Sequence, residues 1–237
     1  MTRAFAAPVG RAVAAGPPVP DLRLENVEVR APDGRAILSV PWLEAPAGAA
    51  LGIRGPSGAG KSTLLLVAAG LAPVARGRVM WGEADLAAMS ERERDGFRRA
   101  RLGLIFQDFL LFEELTAQEN AAVAAAWAPA AERAAIRARA GALLDRFGAP
   151  RDREVAAMSG GERQRVAAAR ALAGDPAAVL ADEPTAALDR DNADRLAGDL
   201  LALAREAGRT VIAVSHDPAL IAAMDRVVQV VDGEVRG

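Results

Sequence analysis

The chain has 237 residues, a formal charge of -2 and no cysteine; 51% of its residues are apolar and 25% are charged. That length is enough to bury the core of an α/β domain, and the missing cysteines exclude disulfides, thiolate metal sites and cysteine nucleophiles. One histidine excludes a multi-histidine metal centre, a near-neutral charge offers no basic face to nucleic acid, and no run of eighteen apolar residues is available to span a membrane.

Of the 29 basic residues all but Lys61 are arginine, and His216 is the only histidine. A lysine kept against such a bias points to a site needing a compact, strongly hydrated ammonium that a planar guanidinium does not replace. The same contrast singles out His216.

In chain order, residues 1–20 are rich in Ala, Pro and Gly, and Pro8, Gly10 and Arg11 interrupt any signal-peptide core. A disordered extension is expected there. LRLENVEVR, from Leu22, alternates like a half-buried strand, and AILSVPWL is a second strand with Pro41 marking an edge or bulge. AALGIRG reads as a buried strand entering a loop at Gly55, followed by the helix KSTLLLVAAGL. RVMW and LGLIF are further strands, with the charged helix SERERDGFRRAR between them. Alanine-rich runs then favour helix over TAQENAAVAAAWA, AAERAAIRARAGALLDRFG and GGERQRVAAARALAG. Strand AAVLADEP, an amphipathic helix from Asp189, strand TVIAVSH, a helix after Pro218 and strand RVVQVV complete the chain. Strands alternating with helices imply an α/β core with parallel strands, and the middle helices imply an inserted helical subdomain.

Residues 55–62, GPSGAGKS, fit G-x-x-x-x-G-K-[ST] between a strand and a helix. The glycines Gly55, Gly58 and Gly60, with Pro56, Ser57 and Ala59 between them, let the backbone wrap a phosphate at a helix N-terminus. Lys61 then reaches the β- and γ-phosphates and the Ser62 hydroxyl ligates Mg²⁺. Ser57 is no hydrolase nucleophile elbow, because Ala59 stands where that turn needs glycine. A buried strand ending in Asp182 and Glu183 brings two carboxylates beside that loop. Asp182 is expected in the Mg²⁺ shell, and Glu183 is expected to orient and deprotonate water for in-line attack. His216 ends the next strand, where a neutral imidazole contacts the γ-phosphate and the water. Gln107 ends strand LGLIF, placed to sense Mg²⁺ or water and to link core and insert.

These residues give the chain, over about 22–237, a resemblance to the ATP-binding subunits of ATP-binding-cassette (ABC) transporters. GPSGAGKST, ending at Thr63, resembles Walker A, and VLADEP resembles Walker B with its catalytic glutamate. Gln107 matches the Q-loop and His216 the switch histidine. MSGGERQ, from Met158, resembles the signature motif, and AALD, ending at Asp189, resembles the D-loop. The resemblance implies a P-loop NTPase core with a mostly parallel central sheet, an N-terminal antiparallel β subdomain and a helical insert at about 108–173. It implies ATP and Mg²⁺ as cofactors and a head-to-tail homodimer. In that dimer Ser159, Gly160, Gly161 and Glu162 at a helix start, with Asp189, bind the nucleotide held by the opposite subunit. It also implies a separate transmembrane permease as partner, no nucleic acid, and a peripheral place at the cytoplasmic face of the inner membrane. The apolar run Phe109, Leu110, Leu111 and Phe112 is expected to help dock a permease helix.

The wording SGGERQRVAAARAL, VLADEPT and LIFQDFLLFEELTAQEN is similar to the lipoprotein-release and macrolide-export branch. The alternatives are a non-transport ABC ATPase of cell division or DNA repair, or another P-loop enzyme such as a small-molecule kinase. The signature motif argues against the kinase. The absence of a second cassette or basic extension argues against the DNA-repair type.

One departure carries a consequence. Where the family stacks an aromatic ring on adenine, this chain has Ala31, 30 residues before Lys61, and it has no tyrosine at all. Base–aromatic stacking is worth about 1–3 kcal/mol, and Arg30 offers only a guanidinium plane instead. Ala31→Tyr is expected to tighten ATP binding about ten-fold, with poor ATP-over-GTP discrimination in the unmodified chain. Parallel nucleotide titrations check both, and no gain from the tyrosine would mean that another residue reads the base.

Overall fold

The computed structural model describes residues 20–236, so the extension expected at 1–20 lies, but for Pro20, outside the described residues. Strands β1 (Leu22–Arg30), β2 (Ala36–Ala45) and β3 (Ala50–Arg54) lead into helix α1 (Lys61–Ala68). The hairpin β4 (Arg76–Trp81) and β5 (Ala84–Asp85) precedes α2 (Glu91–Arg101) and β6 (Leu102–Ile105). Helices α3 (Ala117–Ala121), α4 (Ala130–Phe147) and α5 (Gly160–Ala173) follow. The chain closes with β7 (Ala178–Asp182), α6 (Arg190–Glu206), β8 (Thr210–Val214), α7 (Pro218–Ala222), β9 (Arg226–Val231) and β10 (Glu234–Arg236).

All of these strands join one sheet, ordered β5-β4-β1-β2-β10-β9-β3-β8-β7-β6. From β9 to β6 every pairing is parallel, and β2, β1, β4 and β5 pair antiparallel. The expected mostly parallel core is present. So are the expected antiparallel N-terminal strands, which share one sheet with that core because β10 is antiparallel to β9 and parallel to β2 and joins the two halves. At three residues β10 is too short to leave a periodic signal, as is the two-residue β5. Since β10 meets β2 only at Ser39, the stretch of β2 around Pro41 has β1 alone for a neighbour, which spares a ladder bond that proline cannot donate.

Strand β7 is buried throughout, as a parallel strand covered on both faces should be. Ala178 and Leu180 pack with Leu64, Val67 and Ala68 of α1, and Val179 and Ala181 pack with Val166 and Leu172 of α5 and Leu196 and Leu200 of α6. Helices α2, α3 and α5 each start with a reciprocal cap, Ser90 with Glu93, Thr116 with Glu119 and Ser159 with Glu162.

The stretch read as one helix over TAQENAAVAAAWA is instead the short α3 and a 3₁₀ turn over Val123–Ala126. Alanine propensity is a weak prior. Packing of Ala121 and Ala125 into the core beside α5 decides the path. The fully buried Asn120 holds the preceding loop, accepting from the Phe112 N–H at 2.9 Å and donating to the carbonyls of Phe112, Leu115 and Thr116 at 2.9, 3.2 and 3.1 Å.

Helix α5 lies so close on β6 that a Cβ at Gly103 would stand 2.3 Å from the Ala171 carbonyl oxygen. Gly103→Ala therefore pushes α5 off the sheet, at a cost of roughly 1–3 kcal/mol. Urea denaturation reads the loss, and an unchanged midpoint would mean that this approach carries no packing energy.

Candidate active site

The parallel register sets Ile53 opposite Val214, and Asp182 also opposite Val214, while Ile105 lies opposite Ala181. The loops leaving β3, β6, β7 and β8 therefore emerge along one carboxyl edge of the sheet, where open α/β sheets bind ligands. They enclose a cleft of about 740 Å³ lined by Ser57, Gly58, Lys61, Ser62, Gln107, Asp182, Glu183 and His216. These eight are residues singled out by motif. Of the other loop positions, Gly55 and Pro56 contribute carbonyls to Lys61, Ala59 and Gly60 do not line the cleft, and Thr63 lies within α1.

Lys61 is 8% exposed. Its Nζ donates to the Gly55 and Pro56 carbonyl oxygens, each at 2.9 Å, and no carboxylate among the described residues pairs with it. An ammonium this buried, met only by neutral dipoles, invites an anion. Helix α1 begins directly at Lys61, and its N-cap Gly60 has φ 102, a left-handed value that suits glycine. Its first turn has neither a side-chain cap nor an acidic residue, which leaves N–H groups and the positive end of the helix dipole facing the cleft.

Opposite the loop, Asp182 is buried and its Oδ1 has no hydrogen-bond partner among the described residues. Glu183 sits at φ 49, a costly backbone state for a non-glycine residue that clusters at functional sites. Its N–H donates to the Val214 carbonyl oxygen at 2.9 Å. Its Oε2 accepts from the His216 N–H at 3.3 Å and the Ser215 hydroxyl at 3.4 Å. The His216 Nε2 is 3.6 Å from Glu183 Oε1, with side-chain exposures of 56% and 15% respectively. A nearly covered carboxylate thus stands beside an open imidazole at the cleft wall.

Three neighbours were not legible as site residues. The buried Ser215 accepts from the Asp217 N–H at 3.0 Å as well as donating to Glu183. Arg190 lines the cleft and donates to Asp217 Oδ1 at 2.9 Å, and the Thr185 hydroxyl donates to Asp217 Oδ2 at 3.4 Å. The only signal for these residues was their position next to Asp189, His216 and the carboxylate pair.

Ser159, Gly160, Gly161, Glu162 and Asp189 do not line the cleft. They gather at a second place, where the start of α5 meets the loop before α6; a Cβ on Gly161 would stand 2.9 Å from Leu188 Cδ2. Glu162 accepts from the Ser159 N–H at 2.9 Å and its hydroxyl at 3.1 Å, and pairs with Arg153 at 2.7 Å. Asp189 accepts from the Asn192 N–H at 3.0 Å and its amide at 2.6 Å, capping α6.

The donor set fits a magnesium ion shared with a nucleotide. Among the described residues no three carboxylates or histidines converge to hold a metal alone. Asp182, with its orphaned oxygen, and the nearby Ser62 and Gln107 offer the few oxygen ligands that Mg²⁺ takes when phosphates supply the rest.

Phosphate loop, carboxylate pair and sheet order define a P-loop nucleoside-triphosphate hydrolase. Residues 41–186 match the ABC transporter family. The chain is 42% identical over 201 residues to the lipoprotein-releasing system ATP-binding protein LolD of Cereibacter sphaeroides, covering 84% of this chain and 89% of the relative. It is 40% identical over 203 residues to the uncharacterised ABC transporter ATP-binding protein YbbA of Escherichia coli, covering 85% and 89%. The dimeric, post-hydrolysis structure of the ATP-binding cassette MJ0796 with ADP and Pi superposes with a TM-score of 0.84 at 33% identity, covering 91% of this chain and 97% of that one. The chain belongs to the ABC transporter family, as an ATP-binding subunit with ATPase activity.

The cap on α5 titrates. The Ser159 N–H and hydroxyl, helped by the Arg153 charge, hold the Glu162 carboxyl below its usual range. A depressed folded value means that this stabilisation is complete above the unfolded pKa and is lost as pH falls through the folded one. Glu162→Gln keeps a side chain able to close the cap but cannot titrate. Its stability is expected to fall less steeply below about pH 4 than that of the unmodified chain, as thermal melts across pH will show.

Proposed function

We propose that this chain binds Mg²⁺-ATP in the cleft after β3 and hydrolyses it at a head-to-tail dimer interface to drive a separate membrane permease. The observation that carries the reading is Lys61, a buried cation with no carboxylate partner among the described residues, at an uncapped helix start and facing Asp182 and Glu183. The triphosphate lies along residues 55–63, and Lys61 exchanges its two loop carbonyls for phosphate oxygens. Ser62, Gln107 and Asp182 would hold Mg²⁺, which when bound would supply neutralisation of phosphate charge. Glu183, held by Ser215 and the His216 N–H, aligns a water and takes its proton as the water oxygen bonds to the γ-phosphorus and the bond to ADP breaks. His216 stabilises the transferring phosphoryl group.

The second nucleotide contact comes from another copy of the chain. Ser159, Gly160, Gly161, Glu162 and Asp189 lie outside their own cleft, and the α5 start, although Ser159 and Glu162 close a reciprocal cap there, still presents the N–H groups of its first turn to a phosphate. The dimeric state of the similar cassette supports this arrangement. We assign 21–237 to one ABC ATPase domain with its helical insert at about 108–173. The likeness to LolD supports a permease of the lipoprotein-release or macrolide-export type. Among the described residues no helix is long and apolar enough to cross a membrane. We place the chain as a peripheral subunit at the cytoplasmic face that reaches the membrane through the permease and binds no nucleic acid. Leu110 and Phe112, 57% and 50% exposed beside the Gln107 loop, suit the permease contact, whereas Leu111 packs into the core. The relatives do not favour the non-transport and kinase alternatives.

Lys61→Ala is expected to lose both ATP binding and turnover. Glu183→Gln should bind ATP normally and lose turnover by about 10²–10⁴-fold, and should dimerise on adding ATP. Adding Ser159→Arg should abolish that dimer. Nucleotide titration, phosphate release and light scattering read these outcomes. Near-normal turnover in Glu183→Gln would refute its role, and an ATP dimer that survives Ser159→Arg would refute the sandwich.

A further inference from the structure

The loop after Gln107 holds two of the least comfortable residues in the fold. Phe109 and Leu110 have φ values of 60 and 50, left-handed states that bulky side chains avoid. The turn is braced from within, the Phe109 N–H donating to the Phe106 carbonyl at 3.0 Å and the Leu110 N–H to that of Asp108 at 2.6 Å. From outside, the carbonyls of these same two residues are both taken by one side chain. Arg170, in the interior of α5, donates to the Phe109 oxygen at 2.6 Å through one terminal nitrogen and to the Leu110 oxygen through the other. Six residues, from Gln107 to Phe112, carry the cleft glutamine, the strained pair and the exposed apolar side chains.

Arg170 is largely buried, and burial lowers its pKa, with no carboxylate among the described residues opposing the shift. A buried guanidinium satisfied only by neutral carbonyls is an expensive way to close a loop. A leucine there would fill the space, and a glycine at 109 or 110 would remove the strain. The same helix grips the segment again further along, where Arg163 stands 3.6 Å from Glu113. Its N-terminus, Ser159, lies 11 residues from Arg170, about 16 Å along the axis.

We propose that Arg170 is a positioning residue that fixes Gln107 in the cleft and ties its placement to that of α5. The fork of the guanidinium sets the plane of the Phe109 and Leu110 peptides, and with Asp108 the only residue between, that plane decides where the Gln107 side chain enters the site. A shift of Gln107 toward or away from the phosphates is thereby transmitted to the helix that presents Ser159 to the neighbouring subunit. This rests on the ATPase reading of the cleft.

The test compares Arg170→Met, Arg170→Lys, Gln107→Ala and the double variant Gln107→Ala/Arg170→Met in the full chain. The read-outs are ATP dissociation constant, kcat and KM, and hydrogen exchange at the amides of 109 and 110. Arg170→Met is expected to speed that exchange at least about ten-fold, corresponding to a 1.4 kcal/mol loss of local protection, to lower kcat about ten-fold, and to leave ATP affinity within about two-fold. Arg170→Lys, with one donor point in place of the fork, should fall between. The double variant should be no slower than Gln107→Ala alone, because both changes remove the same contact. If Arg170→Met does not fold, Arg170→Lys and its double variant with Gln107→Ala carry the same comparison. Faster exchange with unchanged kcat, or losses that multiply in the double variant, would overturn the clamp. Unimpaired turnover in Gln107→Ala would instead show that the cleft reading of Gln107 has failed, and the clamp with it.

Discussion

The parallel pairing of β3, β8, β7 and β6 is the constraint on which the rest of this structure depends. Because these strands run the same way and in register, everything that follows their last residues arrives at one edge. The lysine loop, two adjacent carboxylates, a histidine and a glutamine come from positions as far apart as 57 and 216, yet they line one cleft. Helices on both faces keep the strands dry, and the strict alternation of Ala178, Val179, Leu180 and Ala181 between two cores holds the register.

Burial then decides the chemistry. Among the described residues Lys61 meets only backbone carbonyls and Asp182 has an oxygen without a partner, so an ammonium and a carboxylate stand unpaired on the two sides of the cleft. Charges left unpaired along one cleft act together on a polyphosphate that enters it. Glu183 is kept separate from this pair, with its carboxylate oxygens directed to Ser215 and His216. Adjacent acids thus meet different surroundings, which suits them to the different tasks proposed for them.

Helix α5 connects the parts. Its start carries the signature residues in a closed reciprocal cap, its middle rests against β6 at Gly103, and its arginines hold the loop after Gln107. Of the non-glycine residues with positive φ among the described residues, Glu183, Phe109 and Leu110 belong to the cleft or its adjoining loop. The others, Asn26, Asp175 and Asp232, are of residue types that tolerate this state, so the costlier instances are those in or beside the cleft.

The local chemistry was legible in the sequence. The lone lysine in its glycine loop, the carboxylates ending an apolar strand, and the alternation of strands with helices all depend on neighbours within a few residues, and such patterns survive in one dimension. The joining of the antiparallel strands to the core by β10 was not legible, because three residues carry no periodicity and their partners are distant in the chain. The break in the alanine-rich stretch after Ala121 was set by the buried Asn120 and by packing on α5. Ser215, Arg190 and Arg170 became part of the site's frame only when folding brought their hydrogen-bond partners within reach. The sequence by itself determined which groups could do the chemistry; the tertiary structure decided which of them meet, because contact across 60 residues depends on packing rather than on spacing.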